Sequence, residues 1–308
     1  MQRWRSWLGG PPIDANRIEL PELMVGGNNR PPDVLPQEPK PMRLQQLARK
    51  VLNRLRSPAS EAPKSYNRIN AEDAASRLSL RDAKVLVVGA NTGEDCREFI
   101  ELGAREVHGL DVIDSVGSAF QHPRVTYHQE SIENSSLPSD SFDLVYSFAT
   151  MEHVPDVAAG YSEMARLLKP RGVLFSMASP LWYSPYGHHM GCFQGHPWVH
   201  VAFDHAGVID YAKANGIDGE RGHSIEDIVN YMLDPRYFNM KPAAEYVAAL
   251  QGLPDLTVSE NELLREDEAL LGHPVGRQAL ALGYTPEQLL PVTHRVIAGK
   301  RPARPARR

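Results

Sequence analysis

The side chains best suited to chemistry lie in two stretches of this sequence. Glu152 and His153 are neighbours in the motif MEHVPD, and His189 lies in a segment that holds five of the twelve histidines. A carboxylate or an imidazole can take a proton from a hydroxyl group that is about to react. We therefore predict Glu152, His153 and His189 as the catalytic candidates. In the alternative, His153 only shapes its loop or orients a cofactor.

The histidine-rich segment permits three interpretations. One is a metal site, since imidazoles are common ligands; the spacing matches no zinc pattern and lacks a cysteine pair, so we assign no metal ligand. Another is a loop whose histidines are satisfied by hydrogen bonds. The third is a substrate lid, in which Trp182, Trp198 and the imidazoles suit a sugar ring or another amphipathic ligand. The histidines are His188, His189, His196, His200 and His205.

The elements that must position these side chains alternate between strands and helices. Short apolar runs predict strands at 84–89, 106–111, 125–130, 142–148 and 173–177. Helices are predicted from the N-cap Asn70 to about 78, over 94–102 and over 157–168. This order predicts an α/β fold with a doubly wound, mostly parallel sheet.

Four segments at the carboxyl ends of these strands predict a nucleoside-type site. They are the turn Gly89–Gly93, Asp111, residues 129–131 and residues 148–151. The glycines permit a close backbone approach, and a carboxylate after the second strand can accept hydrogen bonds from ribose hydroxyls. Glu94 and Asp95 follow the turn, and two acids in the first helical turn disfavour the diphosphate of a dinucleotide.

Five motifs resemble those of a known family. They are VLVVGANTGED from Val85, GLD ending at Asp111, LPSDSFDLVYS from Leu137, MEHV from Met151 and LKPRGVLF from Leu168. Together they resemble a class I S-adenosylmethionine-dependent methyltransferase, in the type 11 group, over residues 80–180. The resemblance implies a Rossmann-like sheet of seven strands whose last strand, 289–300, is antiparallel. The glycine turn departs from the commoner G-x-G-x-G form at Asn91.

The resemblance also implies S-adenosylmethionine as the cofactor and a small-molecule acceptor, with the methyl group passing to a hydroxyl of a sugar, glycoconjugate or specialised metabolite. Two alternatives stay open: an NAD-dependent oxidoreductase, and a non-catalytic protein of this fold that binds a partner through its basic N-terminal arm. The predicted cofactor-binding residues are Gly89, Ala90, Asn91, Gly93, Asp111, Val112, Glu130, Ser131 and Phe148.

Composition divides the chain into an arm, a body and a tail. Residues 1–64 hold ten of the 25 prolines and eleven basic against six acidic residues, which predicts a Pro-rich basic arm or linker. Within it, 42–56 predicts a basic amphipathic helix that docks on the next domain or a partner, or rests weakly on a membrane surface. The predicted body comprises the cofactor-binding half 65–180, a helical substrate cap 181–256 and the end of the sheet 257–299, before the basic tail 300–308.

Charge and hydropathy restrict the classes of binding partner and the cellular compartment that we expect for this protein. Residues 65–299 hold seventeen basic and thirty-two acidic residues, so we expect no nucleic-acid partner. No run reaches the roughly 18 apolar residues of a spanning helix, and the N-terminus lacks the apolar region of a secretory signal. Two cysteines cannot form a disulfide framework. We expect a cytoplasmic protein.

Overall fold

A seven-stranded sheet organises residues 64–302, which are the residues that the computed structural model describes. The strand order is β3-β2-β1-β4-β5-β7-β6, with β7 antiparallel to both of its neighbours and the other pairs parallel. The predicted Rossmann-like fold and the antiparallel last strand are therefore confirmed. The strands are β1 (Lys84–Val88), β2 (Glu106–Asp111), β3 (Val125–Gln129), β4 (Phe142–Phe148), β5 (Leu168–Ala178), β6 (Leu256–Arg265) and β7 (Pro291–Lys300).

Nine α-helices lie among the described residues. Three precede β5: α1 (Tyr66–Ala75), α2 (Glu94–Glu101) and α3 (Val157–Leu167). Six follow it: α4 (Val199–Ala202), α5 (His205–Ala214), α6 (Ile225–Met232), α7 (Ala243–Gln251), α8 (Pro274–Ala281) and α9 (Pro286–Leu289).

Alternating side chains of the strands form a core on each face of the sheet. From β1, Leu86 and Val88 pack on the face covered by α3 and α7, whereas Val85 and Val87 pack on the face covered by α1 and α2. All four are fully buried, which explains the uninterrupted apolar run of this strand. The sheet is therefore covered on both sides, and its carboxyl edge is left for a ligand.

Two boundaries of the predicted elements needed correction. Helix α1 begins at Tyr66, so Asn70 is not an N-cap but lies inside the helix, where its Nδ2 donates to the Tyr66 carbonyl at 3.0 Å. Strand β5 begins at Leu168 rather than at 173, because Leu168 pairs with Phe142 and the ladder resumes at Val173 after an irregularity. The sequence suggested a loop over residues 169–172, between the predicted helix and strand. In the structure these residues form a bulge within β5.

A third core lies outside the sheet, in a unit that we call the cap: residues 182–240 and 268–290. Trp198, Val208 and Met232 from its first part pack in one cluster with Val275 and Leu289 from its second part. The predicted cap, 181–256, thus differs from the structure in two ways. Helix α7 packs with the sheet core instead, and the segment between β6 and β7, predicted as part of the sheet, joins the cap.

The ends of the chain differ in what the structure describes. The predicted arm 1–64 and its helix 42–56 lie outside the described residues, apart from Lys64. The predicted tail begins inside β7, since Lys300 Nζ donates to Asp140 Oδ1 at 2.7 Å and to the Leu168 carbonyl at 2.8 Å. Between residues 64 and 302, no helix is long and apolar enough to cross a membrane.

Candidate active site

The turn after β1 approaches the end of β4 so closely that only glycine fits at its first position. Gly89 has φ +75°, and a Cβ built on it would lie 1.9 Å from Thr150 Oγ1. The Gly89 and Ala90 amides both donate to the Leu110 carbonyl, at 2.8 and 3.1 Å. The carboxyl ends of β1, β2 and β4 are thus held together at one edge.

The second glycine of the turn makes room for an aromatic ring. Gly93 has φ +110°, and a Cβ there would lie 2.4 Å from the Tyr127 hydroxyl oxygen. Cβ atoms at Gly109 and Gly117 would also meet the Tyr127 ring, at 2.6 and 2.3 Å. The Tyr127 hydroxyl donates to the Phe120 carbonyl at 2.7 Å. Tyr127 was missed by our sequence analysis, and it gives Gly93 a packing role in addition to its predicted one.

Asp111 ends β2 and joins the glycine turn. Its Oδ2 accepts a hydrogen bond from the Asn91 amide at 2.9 Å, and its Oδ1 accepts one from the Ile113 amide at 3.2 Å. Asn91 adopts a left-handed φ of +46°, which asparagine tolerates better than most residues. Next to Asp111, the side chain of Val112 is 64% exposed, so an apolar surface stands beside the carboxylate at the edge of the sheet.

The Glu130–Ser131 turn lies at the same edge, but its side chains are already engaged. The Glu130 amide donates to the Asp111 carbonyl at 2.9 Å. The Glu130 carboxylate accepts hydrogen bonds from the amide and hydroxyl of Ser136, which lower its pKa. Ser131 Oγ donates to Glu133 Oε2 at 2.9 Å. This turn is adjacent to Asp111 through its backbone, and any contact of the two side chains with a cofactor stays a prediction.

Phe148 is the last residue of β4. It pairs with Met177 of β5 and is half-buried against the α1–α2 core. The following residue, Ala149, has φ +49° and donates its amide to the Met177 carbonyl at 2.9 Å. The chain therefore bends sharply after Phe148 and turns toward the catalytic candidates.

The acids after the glycine turn occupy different surroundings. Asp95 is 7% exposed and its Oδ1 accepts from Asn67 Nδ2 at 2.9 Å, while burial raises its pKa to about 7. Glu94 is exposed, and Thr92 Oγ1 donates to its carboxylate at 2.7 Å. Glu94 is therefore the acid that faces solvent beside the turn, whereas Asp95 is directed toward α1.

The three predicted catalytic residues come together although His189 is 36 positions after His153 in the sequence. One ligand-type atom from each of Glu152, His153 and His189 lies within 4.8 Å of the other two. The His153 and His189 rings meet edge to face, with their centroids 5.2 Å apart. Both rings also contact Phe238, at 5.2 and 5.0 Å between centroids. The cluster therefore has an apolar wall on one side.

Hydrogen bonds to main-chain carbonyls orient both imidazoles. The distance from His153 Nδ1 to the Tyr237 carbonyl oxygen is 2.6 Å, and from His189 Nε2 to the Pro180 carbonyl oxygen it is 3.0 Å. A carbonyl only accepts, so these nitrogens carry the protons, and the lone pairs lie on His153 Nε2 and His189 Nδ1. Burial lowers the pKa of His153, and it lowers the pKa of His189 to about 3. Both rings are therefore neutral at pH 7.

Glu152 is the most unusual member of the cluster. It is 2% exposed, and neither carboxylate oxygen has a hydrogen-bond partner among the described residues. Burial raises its pKa to about 8, and the nearby backbone amides of Glu152 and Ser179 offset only part of this effect. A carboxylate in such surroundings is normally paired, because an isolated charge away from water is strongly unfavourable. No sequence pattern indicated this isolation.

A segment between α6 and α7, which our sequence analysis did not single out, supports the cluster from behind. Asn239 Nδ2 donates to the carbonyls of Met151 and Val154, both at 2.9 Å, and the Asn239 amide donates to the Glu152 carbonyl at 3.0 Å. Asn239 Oδ1 in turn accepts from the Tyr246 hydroxyl at 2.9 Å. The turn that carries Glu152 and His153 is thus held by one asparagine.

The other histidines of the segment do not join this cluster. His188 and His200 are buried beside each other, with ring centroids 5.1 Å apart, whereas His196 contacts Tyr211 and His205 contacts Asn230. The two tryptophans are also buried: Trp182 is 7% exposed, and Trp198 is fully buried. Trp198 Nε1 donates to the Leu289 carbonyl at 3.1 Å. The aromatic faces predicted for a substrate therefore lie in the core of the cap.

Comparison with known families matches the region that builds this edge. Residues 86–176 match the model of a family described as "Methyltransferase domain". Residues 86–176 are a class I, S-adenosylmethionine-dependent methyltransferase domain. The match runs from β1 through β5 and contains the glycine turn, Asp111 and the Glu152–His153 pair. The predicted family and cofactor are confirmed for this domain.

Similar proteins extend the comparison beyond the family model. A ubiquinone biosynthesis O-methyltransferase of Xanthomonas oryzae pv. oryzae is 35% identical over 118 residues, 36% of this chain and 49% of that protein. Sterol 24-C-methyltransferase ERG6B of Gibberella zeae is 32% identical over 98 residues, 29% of this chain and 26% of that protein. The chain thus spans half or less of the length of these relatives. A methyltransferase structure from Mesorhizobium loti is 18% identical with a TM-score of 0.45, over 74% of this chain and 96% of that one.

The residues at the sheet edge fit the cofactor of the methyltransferase domain. Asp111 keeps carboxylate lone pairs beyond its two backbone hydrogen bonds, and the exposed Val112 offers an apolar contact for a flat base. Glu94 supplies negative charge near the turn, which suits a ligand with ammonium and sulfonium charges better than a diphosphate. These residues are all within or next to the turns that follow β1 and β2.

Proposed function

We propose that the protein transfers a methyl group from S-adenosylmethionine to a hydroxyl group of a small molecule, with a sugar or glycoconjugate as the first candidate acceptor. The observation that carries this proposal is the position of Glu152, His153 and His189. Glu152 and His153 directly follow β4, and His189 joins them from the segment after β5. Strand β4 pairs with β1, which ends in the glycine turn. A cofactor on that turn and an acceptor under the cap would meet at this cluster.

The chain's own residues have three tasks in this reaction. Asp111 and the glycine turn hold the cofactor, which supplies a methyl group already activated by its sulfonium charge. The cap encloses the acceptor and keeps water away. The neutral His153 ring, fixed by its bond to Tyr237, presents Nε2 to a hydroxyl proton. Orientation of donor and acceptor can contribute about 7–11 kcal/mol to lowering a barrier, and a positioned base adds about 10²–10⁴ in rate.

The relatives support a small-molecule acceptor without distinguishing its class. One relative is named for O-methylation in ubiquinone biosynthesis, and the other for C-methylation of a sterol. We favour oxygen as the accepting atom, because a hydroxyl needs a base and the cluster offers a neutral imidazole at the site. The choice of a sugar as acceptor is supported only by the polar side chains of the cap, because both tryptophans of the cap are buried.

The test is methyl transfer from labelled S-adenosylmethionine to a panel of sugars, glycoconjugates, phenols and sterols, followed by mass spectrometry of the products. An O-methylated sugar supports the whole proposal. An O-methylated phenol keeps the reaction and replaces the acceptor class. Cofactor binding without transfer to any hydroxyl compound would contradict the proposal and favour the non-catalytic alternative, in which the protein binds a partner.

A further inference from the structure

The cluster of Glu152, His153 and His189 has the composition of a metal site. We infer that these three side chains bind one divalent transition-metal ion, such as Zn²⁺ or Fe²⁺, next to the acceptor. Two imidazoles and one carboxylate are the protein ligands of several catalytic zinc and iron sites, which leave further positions open for water or substrate. The site binds metal whether or not the proposed function holds, but its role in catalysis rests on that function.

Each histidine presents the correct nitrogen for this role. Metal-binding histidines usually donate their second ring nitrogen to a carbonyl or carboxylate, which fixes the ring and its tautomer. His153 does so to Tyr237 through Nδ1, and His189 does so to Pro180 through Nε2. The remaining nitrogens, His153 Nε2 and His189 Nδ1, carry the lone pairs, and Glu152, His153 and His189 each offer a ligand-type atom within 4.8 Å of the other two.

The third ligand carries an independent indication. Glu152 is 2% exposed, and neither of its oxygens makes a hydrogen bond of good geometry with residues 64–302, although the backbone amides of Glu152 and Ser179 lie nearby. Buried polar groups are almost always hydrogen-bonded, so an unpaired one needs an explanation. A cation between Glu152 and the two histidines supplies the missing partner and balances the carboxylate charge. Phe238 closes one side of the site, which lowers its access to water.

The ligand types point to the class of metal. Mg²⁺ and Ca²⁺ prefer sets made entirely of oxygen ligands, whereas imidazole suits zinc, iron and similar ions. Such an ion can bind the acceptor oxygen and lower the pKa of its hydroxyl group, so that the proton leaves to water at neutral pH. In this case His153 acts as a ligand, and the ion replaces a free imidazole base.

The test measures metal binding directly on the full-length chain. Protein freed of metal with a chelator is titrated calorimetrically with Zn²⁺ and, in parallel, with Mg²⁺; Co²⁺ is then added as a spectroscopic probe. We expect one Zn²⁺ per chain, much weaker binding of Mg²⁺, and a visible Co²⁺ spectrum typical of nitrogen and oxygen ligands. The absence of stoichiometric Zn²⁺ binding, or a tighter Mg²⁺ site, would overturn the inference.

Variants then assign the ion to the cluster. Glu152→Gln and His189→Asn are expected to weaken Zn²⁺ binding by at least about tenfold. His205→Asn is the matched control, because this exposed histidine belongs to the same segment but contacts Asn230 instead. Wild-type affinity in both cluster variants would contradict the assignment. If either variant fails to fold, the wild-type Co²⁺ spectrum decides, since a spectrum without nitrogen ligands excludes the site.

Titration with S-adenosylmethionine separates this inference from the proposed function. Cofactor binding and methyl transfer in a protein that binds no Zn²⁺ would leave the function and remove the metal site. Zn²⁺ binding in a protein that does not bind the cofactor would leave the site and remove the function. When both hold, removal of the metal is expected to lower methyl transfer while cofactor affinity is unchanged.

Discussion

The backbone amide of Asn91 donates a 2.9 Å hydrogen bond to Oδ2 of Asp111. This bond joins the turn after β1 to the end of β2, so two predicted parts of the cofactor site form one rigid unit. The Asp111 carboxylate therefore stabilises the shape of the glycine turn, in addition to its predicted role in binding the cofactor at the carboxyl edge of the sheet. Substitutions in this unit are expected to affect folding and cofactor binding to different extents, which makes them separable by experiment.

Replacement of Gly89 by alanine tests how closely β1 and β4 approach. The new Cβ would overlap Thr150 Oγ1, and the residue must keep φ +75°. We expect Gly89→Ala to lower the free energy of unfolding by about 2–4 kcal/mol. Gly103→Ala is the control, because Gly103 also has a positive φ but has open space around it; its loss should be about 1–2 kcal/mol. Equal losses in denaturant titrations would contradict the close contact.

The pH dependence of stability is expected to contain a contribution from Asp95. Burial raises its pKa from 3.8 to about 7 in the folded protein. The native state therefore holds a proton that the unfolded chain releases in this range, and this contribution to stability decreases as the pH rises from about 3.8 to about 7. Asp95→Asn keeps an acceptor for Asn67 and removes the titration.

Thermal melting at pH 5 and pH 8 measures this effect. We expect Asp95→Asn to gain stability relative to the wild type at pH 8 and to gain roughly a third as much at pH 5, because most of the loss in the wild type falls between pH 5 and pH 7. Glu94→Gln serves as the control, because Glu94 is exposed. A wild-type and an Asp95→Asn protein whose melting temperatures change in parallel with pH would show that this carboxyl group is not buried in its protonated form.

Asn239 is expected to be a positioning residue for the catalytic turn. Asn239→Asp keeps the acceptor for Tyr246 but loses the Nδ2 donor to the carbonyls of Met151 and Val154. Leaving these acceptors unsatisfied should cost about 1–3 kcal/mol of stability. We also expect kcat to fall while the cofactor Kd stays unchanged. Asn215→Asp, which loses one donor on an exposed helix end, is the control; an equal effect there would contradict the assigned role.

His153 is expected to contribute to turnover rather than to cofactor affinity. We expect His153→Ala to lower kcat by about 10²–10⁴, as measured with an accepted substrate at saturating cofactor. The same substitution at the exposed His205 should change neither kcat nor the melting temperature. A His153→Ala protein that is folded and fully active would assign His153 to loop shape alone, which is the alternative considered from the sequence.

The fold could be predicted because its signals are local. Each of these signals is contained in a few consecutive residues: the apolar run of β1, the glycine turn that follows it, and the Asp at the end of β2. The structure confirms the sheet that they indicated. Asn70 shows the limit of such signals. It is a common N-cap residue, but α1 begins four residues earlier, at Tyr66, and Asn70 lies with Ala71 and Ala74 on the buried side of the helix.

The cap and the catalytic cluster depend on contacts between distant parts of the chain. Trp198 and Leu289 are 91 positions apart, and no period or motif indicated that they share one core. Spacing rules for zinc sites detect ligands that lie close together in one segment. This cluster instead combines two residues from the turn after β4 with one from the histidine-rich segment. Only the three-dimensional arrangement shows that the carboxylate of Glu152 is buried without a hydrogen bond of good geometry in the part of the chain that the structure describes.

The most direct test of the account is calorimetric titration of the protein with S-adenosylmethionine and with its demethylated product, with NAD as a control ligand. We predict saturable binding of the first two and none of NAD. Asp111→Ala should abolish this binding, whereas Asp82→Ala, an exposed acid before the amino end of β1, should leave it intact. Folded wild-type protein that binds neither S-adenosylmethionine nor its product, or Asp111→Ala protein that binds both normally, would contradict the account.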